Sequence, residues 1–136
     1  MQNFLYFRSE ATLANDDATT DSVCYPVSAL LGIEPSSDTA LILSFAPLNR
    51  PGGHATSLIV DDAGNLPLAD TVTLNITANT GKRVMQDIIG AINKNLNSGF
   101  IVVADDATAE PGGVKYVSSN ITSCGAIVVN AAYDNA

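Results

Sequence analysis

His54 is the chain's only histidine, and it follows Pro51-Gly52-Gly53 in a segment built for a loop. A histidine base needs a nucleophile and an orienting acid brought to it. Serines and aspartates are plentiful, but none lies in the Gly-x-Ser-x-Gly turn that presents a nucleophile. Hydrolase chemistry would thus rest on His54 alone, and the residue reads as an exposed loop histidine. Zinc wants three or four His, Cys or acidic ligands, and one His with two distant cysteines does not supply them. Asp16-Asp17, Asp61-Asp62 and Asp105-Asp106 could hold a divalent cation or do acid–base work. Each pair abuts a turn-like stretch, where aspartate is favoured because it accepts bonds from nearby backbone amides. Asn79-Thr80-Gly81-Lys82 lies between a strand pattern and a helix pattern, as a phosphate loop would. That motif needs Gly at 76 and Ser or Thr at 83, where this chain has Ile76 and Arg83. These readings assign no catalytic, cofactor-binding or metal-ligating residue and no cofactor.

Composition narrows the partners. Six Lys and Arg against 14 Asp and Glu give a net charge of -8, which excludes nucleic-acid binding through phosphate neutralisation and disfavours docking on anionic membranes. No stretch has the unbroken apolar length of a membrane span. The first residues lack the basic region that opens a signal peptide. Cys24 and Cys124 sit in apolar company and read as two buried free thiols. Asn75-Ile76-Thr77 and Asn120-Ile121-Thr122 match the glycosylation sequon but read as strand residues.

The elements that would position these residues are mostly strands. Phe4, Tyr6 and Arg8 alternate with Leu5, Phe7 and Ser9 in a first strand over 4–9. Short strands are expected at 22–26, stopped by Pro26, and at 40–45, ended by Pro47. A turn is expected at 35–38, a loop at 48–54, a strand at 55–60 and a hairpin turn at 61–65. Val72, Leu74 and Ile76 alternate with Thr71, Thr73, Asn75 and Thr77, so one face of that strand is core and the other polar. Met85, Ile88, Ile89, Ile92 and Leu96 fall at helical spacing, which predicts one amphipathic helix over 82–96, with Asn79 or Thr80 as cap. A buried strand over 100–104, a loop over 105–113 and strands at 114–119 and 125–130 complete the chain. Should the strands flanking the helix share a sheet, their crossover is right-handed.

We therefore expect a single domain over 1–136, mainly β (α+β). Its form would be an antiparallel β-sandwich or barrel-like sheet with the 82–96 helix packed on it. The aromatic first strand is either core or a subunit interface, so Phe4, Tyr6 and Phe7 are the candidate interface residues.

Several stretches, in order, resemble small virion structural proteins of marine tailed phages, particularly those of cyanobacteria. They are Asn3-Phe-Leu-Tyr-Phe-Arg8, the Asp-rich run to Asp21-Ser-Val-Cys-Tyr-Pro26, Asp70-Thr-Val-Thr-Leu-Asn-Ile-Thr-Ala-Asn79, Val84-Met-Gln-Asp-Ile-Ile89, Gly99-Phe-Ile-Val-Val-Ala-Asp-Asp106 and Ser119-Asn-Ile-Thr-Ser-Cys-Gly-Ala126. The resemblance implies a non-enzymatic particle component made in the host cytoplasm and carries over no site residue. At this length it implies an accessory decoration or cement protein on the capsid exterior. Its partners would be the major capsid protein and further copies of itself, as a trimer. The alternative is a tail- or fibre-associated adhesion module that binds host glycans through loops such as 48–54 and 107–113.

Overall fold

The computed structural model describes residues 3–48, 69–94, 99–109 and 111–129. These form eight strands and one α-helix: β1 (Phe4–Arg8), β2 (Ser22–Pro26), β3 (Leu30–Ser37), β4 (Ala40–Phe45), β5 (Asp70–Ile76), α1 (Gly81–Lys94), β6 (Phe100–Asp105), β7 (Lys115–Tyr116) and β8 (Ile121–Val128). The expected loop over 48–54 beyond Leu48, the strand at 55–60, the turn at 61–65, His54, the Asp61-Asp62 pair and the helix end at Leu96 lie outside the described residues.

Two four-stranded sheets pack face to face, in the orders β2-β1-β6-β7 and β3-β4-β5-β8. The expected mainly β sandwich with one helix is thus the fold. One correction concerns strand direction: β1 pairs antiparallel with β2 but parallel with β6, so the first sheet is mixed. A bulge after Tyr6 shifts the β1–β6 register and turns both Val103 and Ala104 inward.

The core follows the alternation in the sequence. Leu5, Phe7, Val23, Tyr25, Ile101 and Val103 point inward from the first sheet; Leu41, Leu43, Phe45, Val72, Leu74, Ile76 and Ile127 do so from the second. The sheets meet at Phe45. Its ring stacks on Tyr25 at 4.2 Å and 4°, and meets Phe7 edge-on at 5.7 Å. The Tyr25 hydroxyl, carried into the core by this stack, donates to Asp70 Oδ2 at 2.7 Å. The same oxygen accepts the Leu48 amide at 2.9 Å, so Asp70 ties both sheets to the chain leaving β4.

Other departures from the sequence reading have local causes. The turn expected at 35–38 is the end of β3, which runs through Pro35 to Ser37. β3 is the outermost strand of its sheet, and an edge tolerates a proline whose missing N–H faces outward. The strand expected at 114–119 shrinks to Lys115–Tyr116, because residues 117–120 turn. The last strand starts earlier, at Ile121. There Gly125 is required for close approach: a Cβ would stand 3.0 Å from the Thr73 carbonyl oxygen.

β5 and β6 belong to different sheets, so α1 links the two sheets and forms no crossover within one. Its Thr80 carbonyl accepts the Val84 amide and opens the helix, while the Thr80 hydroxyl turns back to the Thr77 carbonyl. Asn79 before it adopts φ 64°, which asparagine tolerates. α1 closes the end of the sandwich where β1 begins. Gly81 lies against Leu41 and Ile76, and Asn3 Nδ2 donates to the Ile92 carbonyl. The buried face is Val84 and Ile88, flanked by partly buried Met85, Ala91 and Ile92. Ile89, placed in the buried stripe by its spacing, is 46% exposed.

Candidate interaction surface

Of the acidic pairs within the described residues, the Asp16, Asp105 and Asp106 carboxylates are occupied by structural bonds. Asp16 takes Arg8 Nη1 at 2.9 Å and the Ser22 hydroxyl at 2.6 Å. Asp105 is buried and accepts the Ala107 amide, a local turn bond of the kind expected. Asp106 accepts the Tyr116 hydroxyl at 2.6 Å and the Cys124 amide at 3.0 and 3.1 Å, joining β7 and β8 to the end of β6. Burial and this carboxylate hold the Tyr116 hydroxyl pKa well above the usual tyrosine range. Among the described residues, no three His, Cys, Asp or Glu side chains converge as metal ligands. Gly81 and Lys82 open α1, with Lys82 exposed.

The three candidate interface residues separate by strand alternation. Phe7 is fully buried against Phe45, so it belongs to the core and not to a contact surface. Phe4 and Tyr6 face outward. The β1–β6 pairing sets Phe4 beside Phe100 and Tyr6 beside Val102; the β1–β2 pairing sets Phe4 beside Pro26 and Tyr6 beside Cys24. Tyr6 and Phe100 contact each other with ring centroids 5.2 Å apart, yet Phe100 is 52% exposed and Phe4 40%. The result is a contiguous apolar and aromatic strip across three strands of the outer face. Exposed patches of this composition mark protein contacts, where Tyr and Phe are enriched.

Phe100, Val102, Pro26 and Cys24 complete this strip and were absent from the sequence-derived set. The run Phe100-Ile-Val-Val-Ala104 has no polar alternation, so its outward members could not be told from its buried ones. For β1 the signal was available: Leu5 and Phe7 share one face, Phe4 and Tyr6 the other.

The cysteines also divide. Cys124 is buried as expected, whereas Cys24 is exposed at an outward position of β2. Burial, reinforced by the Asp106 and Asp105 carboxylates, pushes the Cys124 thiol up to about 12. We therefore expect a thiol reagent at neutral pH to modify one cysteine per folded chain, Cys24, and both after denaturation. Rapid modification of two thiols in the native protein would contradict the placement of Cys124.

Comparison of the chain with protein-family models, with curated proteins and with solved structures returns no match.

Proposed function

We propose that this protein acts without a reacting group, as a particle component that binds neighbouring subunits through the outer face of the β2-β1-β6-β7 sheet. The particle is a phage head, and the role is that of a decoration or cement protein bridging shell subunits on the exterior. The observation that carries the reading is the exposed Phe4–Tyr6–Phe100 strip. Large aromatic side chains turned to solvent on a regular sheet gain free energy only when another surface covers them. The resemblance of the ordered segments to small virion proteins supplies the kind of partner. The charge of -8 suits an outward surface that stays soluble and repels packaged nucleic acid.

The test is made on particles. Quantitative mass spectrometry of purified heads should give this chain a fixed ratio to the major shell protein, and stripping it should lower the temperature at which heads rupture. Cys24, reactive in the free chain, should be protected on the head. Heads that lack the chain, or that tolerate heat equally well without it, would refute the reading. Replacing Tyr6 and Phe100 together with serine should leave the chain folded and weaken its attachment about a hundredfold, in the range expected of aromatic contact residues.

A further inference from the structure

The charge of this chain is unevenly placed. Three of its six cations, Lys82, Arg83 and Lys94, lie on α1. Arg83 is paired with Asp87 at 3.3 Å; among the described residues Lys82 and Lys94 have no ion pair. Between them α1 presents a shallow groove of about 460 Å³ lined by Lys82, Met85, Gln86, Ile89, Gly90 and Asn93. A second depression beside it shares Gln86 and Gly90 and is bordered by Lys94 and by Asp87, the partner of Arg83. Gly90 is the floor common to both. Mid-helix glycine is unfavourable, and here no packing within the chain requires it, since a Cβ at this position meets nothing within 4 Å. Its effect is to keep the groove open beside the exposed Ile89.

The complementary shape lies at the opposite end of β1. After Arg8 the chain makes a turn that carries Glu10, Asp16, Asp17 and Asp21, with Leu13 standing 44% exposed on a short 3-10 turn at its tip. The buried Arg8 guanidinium fixes this turn, donating to the Glu10 and Thr12 carbonyls at 2.7 and 2.8 Å and pairing with Asp16. Thr108 holds it from the side through the Ala11 carbonyl. An apolar knob in an acidic rim thus stands at one end of the domain, and an apolar groove in a basic rim at the other. β1 separates them, because α1 is bonded to Asn3 while the turn begins after Arg8.

We propose that copies of this chain associate head to tail, the Leu13 turn of one seated in the Gly90 groove of the next. Opposite charges meet across each contact, although the chains repel each other in sum. A contact between two different patches at opposite ends of the domain generates an open filament unless the rotation between copies closes it into a ring. The contact uses neither Phe4, Tyr6 nor Phe100, so it leaves the aromatic strip available and does not depend on the particle reading.

Sedimentation of the purified chain tests this. The wild type should sediment above the 14.1 kDa of a single chain and dissociate as salt is raised. Gly90→Leu fills the groove while improving helix propensity, so it should give a stably folded monomer. Lys82→Glu with Lys94→Glu, and separately Glu10→Lys with Asp17→Lys, should each weaken association about tenfold or more. A chain carrying all four changes restores opposite charges across the contact and should recover the oligomer. A wild-type chain that stays at the monomer mass, or a Gly90→Leu chain that keeps the wild-type mass, overturns the proposal. A wild-type chain that is monomeric yet attaches to heads would overturn this contact alone and leave the aromatic strip's role standing.

Discussion

Phe45→Ala should destabilise the protein by about 3–5 kcal/mol, the range for truncating a buried aromatic side chain. Phe45 has no solvent exposure and lies where the two sheets meet, stacked on Tyr25 and edge-on to Phe7. Its removal opens a cavity between the two sheets, against both Tyr25 and Phe7. The loss also unseats the Tyr25 ring, whose hydroxyl is bonded to buried Asp70. Urea unfolding followed by circular dichroism measures the effect. Phe100→Ala, an equal truncation on the outer face, is the control and should cost under about 1 kcal/mol in the isolated chain, as exposed positions do. Equal losses for the two variants would contradict the assignment of Phe45 to the core and Phe100 to the surface.

Alkali should unfold the protein over a narrow range. The Tyr25 hydroxyl is pushed well above the usual tyrosine range, first by burial and then by its bond to Asp70. The Cys124 thiol is pushed up to about 12, first by burial and then by the Asp106 and Asp105 carboxylates. Both groups are neutral when protonated and have folded pKa values above their unfolded ones. Their stabilisation is therefore complete below the unfolded values and is lost as pH rises toward the folded ones. The decline begins with the thiol above about pH 8.5 and steepens above about pH 10, where Tyr25 joins it. Tyr116 acts in the same direction. Urea midpoints measured from pH 7 to 11 should fall accordingly, and Cys124→Ala should flatten the first part of the decline. A midpoint unchanged across that range would show that these groups ionise as readily in the folded chain as in the unfolded one.

The strands with clear period-two patterns were legible from the residues. Ser22–Pro26 and Ala40–Phe45 have the expected bounds, and Val72, Leu74 and Ile76 are the inward residues of β5. Periodicity reports which face of an element is buried, and that suffices for a sandwich. It does not report which sheet a strand joins, so the separation of β5 from β6 and the parallel β1–β6 pairing were not legible. Pro35 reads as a turn unless the strand is known to be an edge, which is a property of the whole sheet. The same limit governs the surface. Alternation distinguishes Phe7 from Phe4 and Tyr6, but only the register places Phe100, Pro26 and Cys24 beside them. The Ile89–Gly90 groove escaped because Ile89 extends the helical apolar stripe by one position beyond the face that packs.

The position of β1 between β2 and β6 constrains how the chain can be made. Phe4 pairs with Pro26 on one side and with Phe100 on the other, so β1 gains its second main-chain partner only once the chain has been made as far as β6. Until then β1 and β2 form a bare hairpin with the open edge and apolar face of an aggregation-prone intermediate. Closure of such a distant pair is slow. The open edge of β1 is therefore exposed to other chains for as long as β6 has yet to dock.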